Sequence, residues 1–552
     1  MDFRKEVIKL LKNVVKDVEE SEIEIPSNKE FGDYAFPCFK LIKEYKKNPN
    51  EIAKDIVGQI ETNKSIKKII AIGPYINFFI NQEKLAEGII SEILKKKDKY
   101  GSLGIGKGKK IILEHTSINP NASPHVGRAR NAFIGDSLKR ILQFQGYKVD
   151  THYFVNDVGK QIAMLVYAAG NRKLKFNELL SEYVIINERI KSNPNLEKEV
   201  FDLLYRLEKG DLKVKKKFKE IVDVCIKGQV KIFDNLDIKW NKFDYESKYL
   251  WNKGTDEILK LLKKTGKLFT DEDNRFVLNQ EGHDLSMKSP VLVLTRNDGT
   301  SLYPLRDIAY NLDKIKLGKN ILVLGEDQKL YFQQLKIVLE LLKKESPEVV
   351  HYSFVCLKDK GSMSTRRGEV VLLEDFMKEA VNKAREEIKK RGGKNEKTAN
   401  IIGNGAVKYS FLRVGNDKNV LFDWESALNF EGESAPYIQY AYARSKSILK
   451  KNKNKIGNFD FSLLSSNEEF RLVELLSKFE EICLKVCEEL KPQLIANYVY
   501  ELSKSFNEFY HACPVLDAEK KLKNVRLGLV LASGYVIKNG LNLIGIDVAE
   551  RM

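Results

Sequence analysis

The sequence predicts an α/β fold in which a parallel sheet occupies the middle of the chain. An apolar strand, an amphipathic helix and a second strand follow one another from residue 110 to 155. Strand and helix patterns alternate again after residue 290, and only helical periodicity is found from about residue 430 onward. This alternation is typical of a parallel sheet with crossover helices. We therefore expect three domains. An α+β domain covers residues 1–107, the sheet domain covers 108–430 with a helical insertion near 160–260, and an all-α domain covers 431–552.

The first domain ends in a stretch that predicts a hairpin and a boundary. The segment KKIIAIGPYINFFIN predicts two short strands separated by Gly73 and Pro74. The segment that follows at 95–110, KKKDKYGSLGIGKGKK, is dense in lysine and glycine. It offers almost nothing to bury, so we expect a domain boundary there.

The sheet domain begins with the strand KIILEHT, a helix and the strand YKVDTHYFV. Ser123 and Pro124 are residue types that start helices, which places His125 in the first helical turn. Unpaired N–H groups and the helix dipole attract phosphate at such a turn, and Gly127 lets a flat ligand approach the backbone. The alternative is a capped helix whose histidine only faces solvent. The buried face of this helix is apolar apart from Arg130.

Later elements extend the same pattern. The segment PVLVLTR predicts a strand, and a turn at 297–299 follows it. The predicted order is then a helix at 305–315, a strand at 320–326, a helix at 331–344 and a strand at 349–358.

Composition restricts the class of protein. The formal net charge is +17, from 94 lysines and arginines against 77 acids. This excess indicates either a polyanionic partner, such as nucleic acid, or a basic surface that is simply well solvated. No apolar stretch is long enough to predict a membrane span. The six cysteines are scattered without a CxxC motif, which is typical of the reducing cytoplasm. We expect no metal site, and we interpret Cys483 and Cys487 as core packing.

Several motifs, taken together, resemble one family. The chain carries the stretches NPNASPHVGRARN, FVNDVGKQI, LYPLRDIAY, EDQKLYFQQL, a Met-Ser-Thr-Arg loop at 363–366, and EGESAPYIQYAYARSKSIL. In this order they resemble class I aminoacyl-tRNA synthetases and, within them, the arginyl-tRNA synthetase family. The resemblance implies a Rossmann-like catalytic domain, an N-terminal domain that touches the tRNA elbow, and an anticodon-binding helical bundle. It also implies arginine, ATP with Mg²⁺ and tRNA as substrates and partners, without a prosthetic group.

The resemblance also implies roles for individual residues. The arginine-binding set is Glu114, Asn119, Tyr303, Asp307 and Gln328. A guanidinium presents five fixed donors and no acceptor, so carboxylates are its natural partners. The ATP-binding set is His125, Gly127, Met363 and Ser364, and the expected tRNA-binding set is Tyr437, Tyr440, Tyr442 and Arg444. Interleaved aromatic and basic residues suit stacking on bases, although any single aromatic can instead pack the bundle.

Two departures from the family pattern concern charge. Arg128 replaces the second histidine of the first signature, and Ser362 and Thr365 replace the two lysines of the second. Positive charge for the departing pyrophosphate must therefore come from other residues, namely Lys360, Arg366, Arg367 or Arg128. We expect an arginine–tRNA ligase that is cytoplasmic and monomeric. The alternatives are a non-catalytic tRNA-binding relative and a class I synthetase for another amino acid.

Overall fold

The computed structural model describes residues 3–251, 254–358, 361–362, 371–393 and 395–552. Lys360, Met363, Ser364, Thr365, Arg366 and Arg367, for which the sequence predicts roles, lie outside the described residues. Within the part that is described, no helix is long and apolar enough to cross a membrane.

The N-terminal region is an antiparallel three-stranded sheet with helices. Its elements are α1 (Phe3–Lys12), β1 (Tyr34–Pro37), α2 (Ile42–Tyr45), α3 (Pro49–Val57), β2 (Ile66–Ile72), β3 (Tyr75–Ile80) and α4 (Gln82–Lys96). The strand order is β1-β3-β2. The predicted hairpin is confirmed, with Ile72 opposite Tyr75 across the Gly73-Pro74 turn.

The middle of the chain forms a five-stranded parallel sheet, which confirms the predicted α/β fold. In spatial order its strands are Glu348–Tyr352, Lys319–Gly325, Lys110–Glu114, Lys148–Val155 and Lys242–Tyr245. Its first elements are β4 (Lys110–Glu114), α5 (Val126–Phe144), β5 (Lys148–Val155), α6 (Lys160–Ala169), α7 (Phe176–Ser192), α8 (Pro194–Glu208), α9 (Leu212–Asp234) and β6 (Lys242–Tyr245). The sequence did not predict that β6, which lies inside the 160–260 stretch, pairs with β5 and forms one edge of this sheet.

The second half of this region carries the remaining strands. Its elements are α10 (Lys248–Trp251), α11 (Gly254–Lys263), β7 (Leu268–Thr270), β8 (Phe276–Asn279), β9 (Val291–Val293), α12 (Tyr303–Ile315), β10 (Lys319–Gly325), α13 (Lys329–Leu341), β11 (Glu348–Tyr352), β12 (Val355–Leu357), β13 (Gly361–Ser362), α14 (Leu373–Lys390), α15 (Glu396–Leu412), β14 (Val420–Phe422) and α16 (Trp424–Ala427).

Two strand predictions were wrong in their pairing. The predicted strand PVLVLTR contributes β9 to a separate antiparallel sheet, β7-β8-β9. The predicted strand at 349–358 divides into β11, in the parallel sheet, and β12, in a small sheet with β13 and β14. Local pattern identifies extended segments, but pairing depends on residues distant in sequence.

The end of the chain is a helical bundle. Its helices are α17 (Ala435–Lys451), α18 (Asn467–Ser477), α19 (Phe479–Glu489), α20 (Gln493–Ala512) and α21 (Lys520–Leu543). The Ser434 hydroxyl accepts a hydrogen bond from the Tyr437 N–H and so caps α17, because an N-cap side chain satisfies a free donor.

The lysine-rich segment at 95–110 packs against the helical bundle. Tyr100 is buried, its hydroxyl donates to the Leu476 carbonyl at 3.1 Å, and its ring stacks on Phe479. Gly101 has φ +104°, and a Cβ there would lie 2.5 Å from the Phe479 ring. The segment therefore docks the N-terminal region onto the helical bundle, and the prediction that it buries almost nothing was wrong.

Arg130 on α5 joins distant parts of the fold. Its side chain is 0% exposed, and Nη1 donates to the carbonyls of Ser353 and Lys418 at 2.8 and 2.7 Å. Nη2 donates to the carbonyls of Val414 and Gly415 at 3.3 and 2.8 Å. Burial lowers the pKa of Arg130 to about 10, so the guanidinium stays charged at neutral pH.

Replacing this guanidinium should destabilise the protein strongly. Arg130→Met leaves four carbonyls without their donor, and loss of a buried charged partner costs about 3 kcal/mol or more of unfolding free energy. Urea denaturation followed by circular dichroism measures the change. Arg172→Met, at an exposed arginine paired with Glu182, is the matched control and should change stability little. Equal stability of the two variants would contradict the structural role of Arg130.

Candidate active site

The predicted site residues gather at the carboxyl end of the parallel sheet. Glu114 is the last residue of β4, Gln328 follows β10, and His125 precedes α5. Ligands of open α/β sheets bind in the crevice outside the carboxyl ends of the strands. The sheet topology therefore brings together residues that are up to about 200 positions apart in the sequence, as Lys314 and Glu114 illustrate.

His125 is the N-cap of α5 and makes no side-chain capping bond. The helix begins at Val126, so the prediction that Ser123 caps it and Pro124 is its first residue was wrong by two positions, and His125 is the cap and not part of the first turn. The Val126 N–H donates to Val371 and the Leu373 N–H donates to Pro124, at 3.0 and 2.9 Å. These bonds fix the N-terminus of α5 against the start of α14.

The imidazole of His125 is neutral at physiological pH. Burial, and then the charge of Arg128, lower the pKa of His125 to about 4. Its Nδ1 is buried without a hydrogen-bond partner among the described residues. A Cβ on Gly127 would lie 3.1 Å from Nδ1 and Cε1, so this glycine leaves room for the ring. A neutral imidazole with an unused nitrogen can form a hydrogen bond to a ligand.

The loop between β4 and α5 is held by buried side chains that the sequence did not identify. The Tyr153 hydroxyl accepts from the Ile118 N–H at 2.9 Å and donates to Gln229 Oε1 at 2.8 Å. Gln229 Nε2 donates to the carbonyls of Asn119 and Ala122 at 3.0 and 2.8 Å. Asn119 itself is exposed. Because Gln229 lies in the helical insertion, no local signal in the sequence connects it to this loop.

Helix α12 presents one face to the site. Tyr303, Asp307, Tyr310 and Lys314 are spaced by four, three and four residues, which places them on the same side of a helix. Tyr303 is 55% exposed, and its ring packs at 5.2 Å against Tyr331 of α13. Tyr303, one helical turn before Asp307, and Tyr331, which donates to Asp307, thus both lie beside this carboxylate.

Asp307 is the carboxylate best placed to accept a cationic ligand. Tyr331 donates to Oδ2 at 2.7 Å and Asn311 donates to Oδ1 at 3.0 Å, which orients the group and leaves further acceptor positions. Burial raises the pKa of Asp307 to about 6, against the opposing effects of Tyr331 and Lys314. Tyr331 was not predicted as a site residue.

Glu114 differs from Asp307 because its carboxylate is already paired with a cationic side chain of the protein. It is 8% exposed and forms an ion pair with Lys314, which is 2% exposed. The Lys314 ammonium also lies 4.1 Å from the centre of the Tyr310 ring. A second buried pair lies nearby, between Arg306 Nε and Glu246 Oε1 at 2.6 Å. The predicted partnership of Glu114 with a substrate must therefore compete with Lys314.

Gln328 and Arg128 lie at the same edge but make few contacts. Gln328 is the N-cap of α13 and is half-buried, and its Nε2 makes a long contact of 3.4 Å with Asp327. Arg128 is half-buried in the first turn of α5. Both side chains are thus near the sheet edge without strong competing partners in the described part of the chain.

The predicted tRNA-binding residues on α17 divide into two groups. Tyr440 is 39% exposed, and the Arg444 guanidinium lies over its ring at 4.9 Å and over Tyr510 at 4.8 Å. Tyr442 is 5% exposed and lies in the bundle core, so it has no free face for stacking. Tyr437 is partly buried against the same core. Of the four predicted residues, Tyr440 and Arg444 form, with Tyr510, a cationic and aromatic cluster at the surface of the bundle.

The fold and the site define a class I aminoacyl-tRNA synthetase. Residues 89–424 match the family described as tRNA synthetases class I (R), catalytic domain. Residues 438–552 match the DALR anticodon binding domain, and residues 1–80 match the arginyl tRNA synthetase N terminal domain. The chain belongs to the arginyl-tRNA synthetase family, and the resemblance found in the sequence is confirmed.

Individual relatives agree over the full length. The chain is 40% identical to the arginine–tRNA ligase of Methanocaldococcus jannaschii and 36% identical to that of Halothermothrix orenii, with 100% of each chain covered. It is similar to the solved arginyl-tRNA synthetase of Thermus thermophilus, with a TM-score of 0.82 and 25% identity over 100% of this chain and 99% of the other. The Plasmodium falciparum enzyme shares the fold, with a TM-score of 0.79 and 20% identity over 100% and 99% of the two chains.

The raised pKa of Asp307 predicts the pH dependence of binding for a guanidinium ligand such as arginine. Only the ionised carboxylate attracts a cation, so affinity should be constant well above pH 6 and fall about tenfold per unit below it. His125, with a pKa of about 4, stays neutral over the same range. Isothermal titration with arginine from pH 5 to 8 measures the midpoint. Asp307→Asn should bind weakly and without this inflection, and a flat wild-type profile would remove Asp307 from the site.

Proposed function

We propose that the protein activates arginine with ATP to arginyl-adenylate and transfers the arginyl group to the terminal adenosine of its cognate tRNA. The arginine–tRNA ligases that match over the full length support this activity. The structural observation that carries the proposal is Asp307, an oriented and half-buried carboxylate between two tyrosines at the carboxyl edge of the sheet. This is the environment that a planar guanidinium requires.

Arginine recognition rests on Asp307 and its neighbours. The carboxylate accepts from the guanidinium, while Tyr303 and Tyr331 cover the opening of the site. Asn119, on the loop that Gln229 and Tyr153 hold, contacts the amino-acid end of the substrate in this proposal. Gln328, next to the end of β10, closes the other side.

ATP is bound across the N-terminus of α5. His125 is neutral and donates a hydrogen bond to phosphate, and Gly127 keeps the space for the imidazole. The first turn of the helix adds a dipole that favours an anion, while its Val126, Arg128 and Ala129 N–H groups already donate to the carbonyls of Val371 and His125. Met363 and Ser364, outside the described residues, contact ATP by resemblance to the family. Mg²⁺ accompanies ATP and is held mainly by phosphate oxygens and water.

The reaction needs little covalent chemistry from the protein. Alignment of the substrate carboxylate with the α-phosphate, and stabilisation of the charge on departing pyrophosphate, account for most of the catalysis. Arg128 supplies one cation beside His125. Because serine and threonine stand at 362 and 365, we assign the remaining charge to Lys360 and Arg366, which also lie outside the described residues.

tRNA binds through the helical bundle and the N-terminal region. Tyr440 and Arg444 form the exposed part of the predicted anticodon surface, and we add Tyr510 to them. Such a cluster stacks bases and attracts phosphate. We further propose domains at 1–107, 108–430 and 431–552, a monomer, and a place in the cytoplasm, where tRNA is charged.

Aminoacylation of total tRNA with each of the twenty radiolabelled amino acids tests the activity. We expect arginine alone to be incorporated, because an ammonium or a neutral side chain cannot satisfy a site built for five planar donors. Asp307→Ala should lose about a thousandfold or more in kcat/KM for arginine. If the protein binds tRNA but charges it with no amino acid, the alternative of a non-catalytic tRNA-binding protein is favoured. If it charges tRNA with another amino acid, arginine is not its substrate.

Arg366 should compensate for the missing lysines. Each charge-assisted contact to the departing phosphate is worth about 3 kcal/mol, so an uncompensated enzyme would be slower by several powers of ten. We expect arginine-dependent ATP–pyrophosphate exchange to be weak without tRNA and to appear when tRNA is added, because bound tRNA presses the loop onto the phosphates. Arg366→Ala should reduce exchange by about a hundredfold or more with little change in the KM for arginine.

Two results of the exchange assay would contradict these expectations. Strong exchange without tRNA would contradict the gating by tRNA. Full activity of Arg366→Ala would show that another cation, such as Lys360, stabilises the leaving group.

A further inference from the structure

Residues 97–109, here called the junction segment, connect α4 to β4 and pack against the helical bundle. Asn539 of α21 donates from Nδ2 to the carbonyls of Lys97 and Tyr100, at 3.0 and 3.2 Å. The Tyr100 ring stacks on Phe479, the first residue of α19, with 6.1 Å between the ring centroids. Two helices of the bundle therefore hold the first half of this segment, and the proposed reaction gives these contacts no part.

The second half of the junction segment is bonded to the C-terminal end of α5. Gln145, the C-cap of α5, is 0% exposed, and its Nε2 donates to the Gly101 carbonyl at 2.7 Å. Its Oε1 accepts from the Leu103 N–H at 2.9 Å, and its backbone carbonyl accepts from the Gly106 N–H at 2.8 Å. Because His125 lies at the other end of the same helix, the junction segment connects the bundle to the helix that begins at the proposed ATP site.

The junction segment also fixes the N-terminal region, because α4 leads directly into it. The Lys96 ammonium, at the end of α4, lies 2.8 Å from Glu480 Oε1 of α19, and Asp98 pairs with Lys538 of α21 at 3.1 Å. The buried face of α4 lies in the same hydrophobic core as the bundle. The N-terminal region, α5 and the bundle thus meet around one short segment.

Gly101 lies at the tightest point of this meeting. Its φ of +104° is in the left-handed region, and an added Cβ would lie 2.5 Å from the Phe479 ring of α19 and 3.2 Å from the Phe144 ring of α5. Phe479 is buried and also stacks on Tyr498 of α20, with 5.4 Å between the ring centroids. A side chain at position 101 would therefore push α19 away from α5, because the Phe479 ring already packs against two tyrosines.

We propose, on the basis of the proposed function, that the junction segment holds the N-terminal region, α5 and the bundle as one rigid body for tRNA, with Tyr100 and Gly101 as positioning residues. A tRNA that contacts both ends of the protein makes its second contact at a high effective concentration only when the two contact surfaces are held at a fixed distance. Parts that move independently lose more conformational entropy when the tRNA binds. The junction segment therefore raises the affinity for whole tRNA without touching the RNA.

Gly101→Ala should impair the use of whole tRNA and spare the two small substrates. The added methyl group separates α19 from α5, so the KM for tRNA in the charging reaction should rise about tenfold or more. The KM values for arginine and ATP should change by less than about twofold, because their proposed sites lie at the carboxyl edge of the sheet and share no partner with Gly101.

Gly104→Ala is the matched control for this variant. Gly104 lies in the same segment and also has a positive φ, of +65°, but a Cβ added there has nothing within 4 Å. The control therefore introduces the same residue type on a similar backbone without pushing on the bundle. The KM for tRNA should change by less than about twofold.

Two RNA probes separate a positioning role from a purely structural one. Whole tRNA contacts both ends of the protein, whereas a hairpin that contains only the anticodon arm contacts the bundle alone. Gly101→Ala should weaken the binding of whole tRNA by about tenfold and leave the affinity for the hairpin unchanged, because only the connection between the two surfaces is altered. Tyr100→Phe keeps the ring and removes the hydrogen bond to Leu476, so it should show a smaller loss in the same direction. Fluorescence anisotropy measures both dissociation constants.

Equal weakening of both probes by Gly101→Ala would show damage to the bundle itself and would overturn the proposal. Unchanged binding of whole tRNA, or an equal loss in Gly104→Ala, would do the same. If Gly101→Ala does not fold, Tyr100→Phe and Asn539→Ala, which removes two hydrogen bonds to the segment, decide the question with the same probes. If the wild type does not bind the hairpin, the anticodon surface is wrongly assigned, and the KM values for tRNA and arginine decide. Failure of the wild type to charge tRNA with arginine would instead reject the proposed function.

Discussion

The guanidinium of Arg130 is the interaction on which the arrangement of the catalytic region depends. One side chain on α5 satisfies four carbonyls from the β11–β12 junction and from the segment that follows α15. Because α5 begins at Val126, the same contact fixes the direction from which His125 enters the site. Backbone carbonyls buried without donors are costly, so these segments can stay together only while the arginine is present.

Around this framework, two of the buried acids in the site are paired with basic side chains and a third is not. Glu114 with Lys314 and Glu246 with Arg306 form closed ion pairs, while Asp307 is held by neutral donors from Tyr331 and Asn311. Neutral donors orient a carboxylate without cancelling its charge. Asp307 is therefore the acid that remains attractive to an incoming cation. At the N-terminus of α5, His125 is neutral and Arg128 carries the charge.

Much of the fold and of the site followed from local sequence. The strands β4, β5 and β10, the helix α12 and the helical end of the chain were predicted from hydrophobic periodicity, because each buries one face or one run of residues. The resemblance of NPNASPHVGRARN and LYPLRDIAY to one family identified His125 and Asp307. Lys314, Tyr331 and Gln229 were missed because each acts through a partner more than twenty positions away, and no local pattern encodes such a pairing.

The sequence by itself determined the class of fold and the family, and it indicated which residues are candidates to meet the substrates. Only the tertiary structure decided which of these residues are free to act. Burial and pairing withdrew Tyr442 into the core and gave Glu114 a cation, while leaving Tyr440 exposed and Asp307 available. The tertiary structure also showed that Tyr100 packs the lysine-rich segment at 95–110 against the bundle. The physical reason is that the charge and accessibility of a side chain depend on its neighbours in space, which the order of the residues specifies only through the folded chain.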